Sequence, residues 1–142
     1  MGKAARRDAI NRWQWKDKIK QYASVIMGVY YNRDFESNPP KVSVIITSYN
    51  LEKFLSDAIG SVIKQTIDDF ELIIVDDCST DNTQEILKHF HNSKNVRFVQ
   101  PPQNLGLSGA RNYGFKYARG KYIIYLDADD MLAPNALGLL TL

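Results

Sequence analysis

Val42-Ser43-Val44-Ile45-Ile46-Thr47-Ser48-Tyr49-Asn50 decides the fold. Its first part is dense in β-branched residues, which favour extended backbone, and residues 42–47 read as a strand that exits into a polar turn. Downstream, Phe54, Leu55, Ala58, Ile59, Val62 and Ile63 recur at helical spacing within residues 51–65. Residues 71–75 form a second short apolar run. Asp81 followed by Gln84 has the spacing of a capping box opening a helix to about residue 91. Residues 96–99 give a weaker third strand, 108–118 a third helix and 122–126 a fourth strand, with Pro134 near the start of a last helix. Strand and helix alternate throughout, which predicts an α/β fold: a mostly parallel sheet flanked by helices.

Upstream of this block the pattern differs. Trp15, Ile19, Tyr22, Ile26 and Val29 fall on one stripe of a helix, and Asn38-Pro39-Pro40 breaks it as a linker. Residues 1–37 are therefore an N-terminal amphipathic helix and linker, and 38–142 the α/β unit. Residues 1–20 hold seven Lys/Arg against two Asp, a charge of +5, whereas the remainder holds eleven basic and fourteen acidic residues, or −3. A basic leader on a slightly acidic body excludes a nucleic-acid-coating domain, whose positive surface would follow the whole fold. The leader could dock on its own protein or lie on an anionic membrane surface as a peripheral contact.

At 142 residues the chain suits one domain, and 44% hydrophobic with 24% charged residues excludes disordered and fibrous classes. No apolar run approaches the roughly 20 residues that span a bilayer, and residues 1–20, which have no apolar stretch, do not read as a signal peptide. The lone Cys78 cannot form an internal disulfide and suits a reducing compartment. The expectation is a cytoplasmic chain, peripheral on the inner membrane face.

Ligands of open α/β sheets bind beyond the carboxyl ends of the strands, and here those ends are unusually polar. The first strand leaves into Thr47-Ser48-Tyr49-Asn50, the second into Asp76-Asp77-Cys78-Ser79-Thr80-Asp81, and the fourth into Asp127-Ala128-Asp129-Asp130. Carboxylates gathered at one rim repel, and a divalent cation would relieve that repulsion. Asp127 and Asp129 offer the hard oxygens that Mg²⁺ or Mn²⁺ takes while leaving positions for phosphate oxygens; the structural alternative is a turn that caps the next helix. Tyr49 could stack on a nucleobase and Asp77 accept the imide proton of uracil, or the two could be a surface aromatic and a helix cap. Asn104-Leu105-Gly106-Leu107-Ser108-Gly109 opens a helix whose amides could face phosphate, and Arg111 on its next turn could reach a diphosphate or stay solvated. His89 and His91, two apart on a helix, diverge and suggest no metal site.

Residues 42–50, 71–81, Asn104-Leu105-Gly106 with Ala110-Arg111-Asn112, and 120–130 together resemble the family 2 glycosyltransferases, in that family's order and spacing over residues 41–142. The resemblance implies a GT-A (Rossmann-like) fold, a nucleotide-sugar donor, commonly UDP-linked, a divalent cation (Mn²⁺ or Mg²⁺) and inversion at the anomeric carbon. It carries base recognition to Thr47, Tyr49 and Asp77, and ribose and metal binding to Asp127-Ala128-Asp129, with Asp129 as the direct ligand. Asp76 and Arg111 complete the expected nucleotide-sugar set. Ile46 stands where the family often has Pro, and Cys78 where it often has Gly or Asn.

Family domains are longer than this span, and their acidic base lies in the part beyond it. The unit is therefore expected to be an incomplete GT-A domain, the donor-binding half of an enzyme acting on a glycan or lipid-linked acceptor in polysaccharide synthesis, with no catalytic base assigned in this chain. Two other readings stand beside it: a non-catalytic nucleotide-binding or interaction fragment, and a phosphatase- or receiver-like domain with Asp clusters at its strand ends. The phosphatase's Asp pair normally leaves the first strand, whereas here it leaves the fourth.

Overall fold

The run that begins at Val42 forms the central strand, β1 (Val42–Ser48), and every one of its residues is buried. The computed structural model describes residues 39–141; the predicted leader helix through Trp15 and Val29, and Asn38 of the linker, lie outside them. β1 is followed by α1 (Glu52–Ile63), β2 (Phe70–Asp76), α2 (Thr83–His89), β3 (Val96–Val99), α3 (Gly106–Phe115), β4 (Tyr122–Asp127) and α4 (Ala136–Leu140). The sheet order is β3-β2-β1-β4, and each neighbouring pair is parallel. The register sets Thr47 between Val75 and Asp127, and Ser48 beside Asp76. The polar strand exits therefore share one rim.

Each strand residue points to the face opposite its neighbours, so β1 divides its apolar side chains between two cores. Val42, Val44 and Ile46 pack with Leu72, Ile74 and Leu126 against Leu55, Ala58, Ile59 and Val62 of α1, Leu87 of α2 and Leu137 of α4. On the other face Ile45, Ile73 and Val75 pack with Ala110 of α3 and with Ala118. Gly114 lets α3 come down onto that face: a Cβ there would stand 2.7 Å from methyl carbons of both Ile45 and Val75.

A polar network closes the opposite rim. The Ser43 hydroxyl donates to Glu71 Oε1 at 2.5 Å, and the Gly120 amide donates to Ser43 Oγ at 2.7 Å. Arg119 gives Glu71 its amide and its Nε, the latter at 3.1 Å. Glu71 is buried but paired, as a buried charge must be. Gln65, just after α1, ties that helix to α4 and the residues before it, donating to the Ala133 carbonyl at 2.7 Å and accepting from the Leu137 amide at 3.0 Å.

Three local expectations change. The predicted capping box does not form: Asp81 accepts from the Thr83 amide at 3.0 Å and from the Glu52 amide at 3.0 Å, while the Gln84 side chain donates to Asp76 instead of reaching back. Helix α2 ends at His89, two residues before the predicted end, as the Phe90 and His91 amides bond three residues back. Helix α3 starts at Gly106, two residues before the predicted Ser108, because Asn104 Oδ1 takes the Gly106 amide and Asp77 Oδ1 takes the Leu105 amide. It also ends sooner than predicted, as the Lys116, Tyr117 and Ala118 amides bond three residues back and tighten the last turn.

Candidate functional site

At the carboxyl rim lies a cavity of about 380 Å³ whose walls come from three strand exits and the start of α3. Thr47, Ser48, Tyr49 and Leu51 follow β1, Asp77 follows β2, Asp127, Ala128 and Asp129 end β4, and Asn104, Gly106, Leu107 and Ala110 belong to α3 and the turn before it. Parallel strands put all their carboxyl ends on one side, which is why exits so distant in sequence converge.

Of the residues expected to bind a donor, six line this cavity: Thr47, Tyr49, Asp77, Asp127, Ala128 and Asp129. Tyr49 is half exposed, at 48%, and presents a ring at the mouth. Asp77 is 3% exposed. Its Oδ1 accepts from Leu105 N at 2.8 Å and its carbonyl from Asn104 Nδ2 at 3.0 Å, and its second carboxylate oxygen takes no hydrogen bond from the described residues. The hydroxyls of Thr47 and Ser48 are buried without a hydrogen-bond partner among the described residues. A buried hydroxyl left unpaired costs free energy, and here two of them belong to residues of the cavity wall while their oxygens are closed to solvent.

The two remaining predicted residues stand outside the cavity wall. Asp76 is 1% exposed, and both its oxygens are occupied: Oδ1 accepts from Ser79 N at 3.0 Å and Oδ2 from the Gln84 side chain. It shapes the turn after β2 and is not among the residues that line the cavity. Arg111 donates from Nη2 to Asp127 Oδ1 at 2.7 Å, and its Cζ stands 5.8 Å from the Tyr125 ring centroid. The guanidinium is thus partly exposed and paired with a carboxylate of the cavity wall, while Arg111 is not itself a lining residue.

Ala128 is fully buried in the core between the two carboxylates. This explains the alternation: the small side chain anchors the turn while Asp127 and Asp129 emerge on either side. Asp129 is exposed and takes no hydrogen bond from the described residues, and Asp127 keeps one oxygen clear of Arg111. Among the described residues no cluster of three or more His, Cys, Asp or Glu could hold a metal. Two available carboxylates on one turn fit a hard cation that completes its shell with phosphate oxygens and water, not an all-protein cage. The histidines diverge as expected, His89 Nδ1 lying 2.8 Å from the Glu85 carbonyl and His91 stacking on Phe98.

Sequence reasoning gave no site role to Leu51 and Ala110, and named Ser48 and Leu107 only within a polar strand exit and a helix-opening run. An apolar Leu or Ala carries no chemistry that distinguishes a wall residue from core or surface.

The family model described as Glycosyl transferase family 2 matches residues 43–141. The chain belongs to this family. A UDP-Glc:alpha-D-GlcNAc-diphosphoundecaprenol beta-1,3-glucosyltransferase of Escherichia coli, WfgD, is 42% identical over 96 residues, covering 68% of this chain and 38% of that protein. The crystal structure of Staphylococcus aureus TarS in complex with UDP superposes with a TM-score of 0.66 at 36% identity, over 70% of this chain and 30% of that one. A mannosyltransferase of Pyrobaculum calidifontis, solved with GDP-Man and Mn²⁺, shares the fold at 19% identity, with a TM-score of 0.64 over 87% of this chain and 40% of that one. The α/β unit is thus of the GT-A type, as the sequence predicts, and the chain spans well under half the length of these relatives. Membership also removes the phosphatase- and receiver-like readings. No helix among the described residues is long and apolar enough to cross a membrane.

Proposed function

We propose that this chain supplies the donor- and metal-binding half of an inverting glycosyltransferase that takes a sugar from a UDP-linked donor to a hydroxyl of a glycan or lipid-linked acceptor. The observation that carries the reading is that Thr47, Tyr49 and Asp77 line the same cavity as Asp127 and Asp129. The first group suits a nucleobase: a half-exposed ring to stack on it and a free carboxylate oxygen for the imide N–H. The second suits a diphosphate with its cation. Relatives support the choice of nucleotide, since WfgD is named for UDP-Glc and TarS has been solved with UDP and with UDP-GlcNAc.

The reaction is a single in-line displacement. The acceptor oxygen forms its bond to the anomeric carbon as the bond to the diphosphate breaks, and the diphosphate leaves with the electron pair, inverting the centre. A divalent cation bound there supplies charge neutralisation for the departing diphosphate. Asp129 and the free oxygen of Asp127 would hold it, and Arg111 serves the site through Asp127 by fixing that carboxylate. The proton of the acceptor goes to a base that no residue of this chain is assigned to provide.

Titration calorimetry with UDP and uridine, with and without Mn²⁺, tests the division of labour. Asp129→Ala is expected to remove the Mn²⁺-dependent part of UDP binding and leave uridine binding unchanged. Asp77→Asn keeps the acceptor for Leu105 N but turns an N–H₂ toward the imide, so UDP and uridine should both weaken about 10- to 150-fold. Equal loss of metal dependence in both variants would refute the division, and a parent that binds no UDP would leave the interaction-fragment reading. The basic leader, residues 1–37, would add peripheral contact with an anionic membrane, tested by liposome binding that falls with salt and is lost in Lys16→Glu with Lys20→Glu.

A further inference from the structure

The turns that carry Tyr49 and Asp77 are tied to each other by hydrogen bonds spanning about thirty residues of sequence. Asn50, in the left-handed region at φ 55°, donates its amide to Ser79 Oγ at 2.9 Å, and its Oδ1 accepts from the Thr80 amide at 2.7 Å. Next to this pair is a reciprocal one. The Glu52 amide, first of α1, donates to Asp81 Oδ2 at 3.0 Å, and the Asn82 amide, at the start of α2, donates to Glu52 Oε2 at 2.7 Å.

Helix N-termini leave amides without intrahelical partners, normally satisfied by the side chain of the helix's own cap. Here neither Leu51 nor Asn82, the capping residues of α1 and α2, makes a side-chain cap. Instead Asp81, in the turn before α2, serves both helices, its Oδ1 taking the Thr83 amide at 3.0 Å and its Oδ2 the Glu52 amide, while Glu52 of α1 takes the amide of Asn82. Two acids placed close together would repel, but each is directed at the positive end of a helix dipole. The cost is offset only while both loops keep this relation.

We propose that Asn50, Glu52 and Asp81 are positioning residues that hold Tyr49 and Asp77 at the separation a nucleobase requires, by tying the start of α1 to the turn that leads into α2. This inference rests on the donor-site reading above, and none of the three is given a contact with the donor. Preorganising the two sides of the base site removes an ordering cost that binding would otherwise bear.

The test uses the full chain and metal-free uridine as the probe. Glu52→Ala and Asp81→Ala should each weaken uridine binding about 5- to 30-fold, the scale of a lost helix cap, and the double variant should weaken it by less than the product of the two, since they act as one unit. Glu52→Gln, which keeps an acceptor, should restore most of the affinity. The Mn²⁺-dependent gain of UDP over its metal-free binding, which depends on the β4 side, should not change; general loosening of the fold would reduce it too. Amide exchange at Asn82 should quicken in Glu52→Ala, and at Glu52 in Asp81→Ala. Should a variant fold poorly, Asn50→Gly keeps the backbone conformation, removes only the Oδ1 acceptor and should still weaken uridine binding. Faster exchange with uridine affinity unaltered would overturn the positioning role and leave a clamp that merely stabilises. A parent that binds neither uridine nor UDP would instead overturn the donor reading, and the positioning role with it.

Discussion

Cys78 adopts φ 66°, a conformation that costs a side chain with a Cβ about 1–2 kcal/mol and that Asn tolerates better. Resemblance to a family that often carries Gly or Asn there thus has a backbone reason. The Cys78 thiol makes one weak contact, 3.4 Å from the Pro101 carbonyl, so Cys78→Asn should gain about 0.5–1 kcal/mol, read as a higher urea midpoint with unchanged slope. Asp81 gives a pH prediction. Burial alone would push its carboxyl up, but the hydrogen bonds it receives from Thr83 and from the Glu52 amide outweigh that and hold it below the ordinary carboxyl value. A carboxyl lowered by folding contributes stability that is complete above its unfolded value, about 3.9, and is lost as pH falls through the folded one. The gap in urea midpoint between the parent and Asp81→Asn should therefore narrow as pH drops from about 5 to about 3. A constant gap would mean that the charge of Asp81 contributes nothing.

At the scale of elements, α3 is set by its glycine. Alanine is the better helix former by about 1 kcal/mol, yet Gly114→Ala would force a methyl to within 2.7 Å of Ile45 and Val75, both fully buried. Overpacking of that kind costs about 1–3 kcal/mol, so the steric term should win and the urea midpoint should fall. Because α3 also brings Asn104, Leu105 and Arg111 to the rim, the same variant should weaken UDP binding. Retained affinity with lowered stability would show that the rim keeps its geometry when the helix is lifted. The strands and helices themselves were legible as runs and spacings, since β-branching and helical periodicity act over a few residues. Their ends were not: α3 begins where Asp77 and Asn104 take its first amides, and α2 stops at His89 because the Phe90 and His91 amides bond three residues back.

For the whole molecule, a ligand that binds only the folded chain raises its stability by mass action. UDP with Mn²⁺ at about a hundred times its dissociation constant should add about 2.7 kcal/mol, and so raise Tm by roughly 5–10 °C for a domain of this size. Scanning fluorimetry can read the shift, and Asp77→Asn should lose most of it at the same concentration. No shift in the parent would count against the donor site. The order of strands and helices, and the gathering of polar exits at one rim, followed from the sequence alone, because a parallel sheet must present every carboxyl end on one side. Which acids remain free to act at that rim was decided only by the tertiary structure. Asp76 is taken up by Ser79 and Gln84, Asp81 by α1 and α2, and one oxygen of Asp127 by Arg111, whereas Asp129 and one oxygen of Asp77 stay open. A carboxylate looks the same in sequence whether it is occupied or free. Its state depends on donors that in the cases of Asp127 and Asp81 lie 16 to 29 residues away, and only folding brings them within hydrogen-bonding distance.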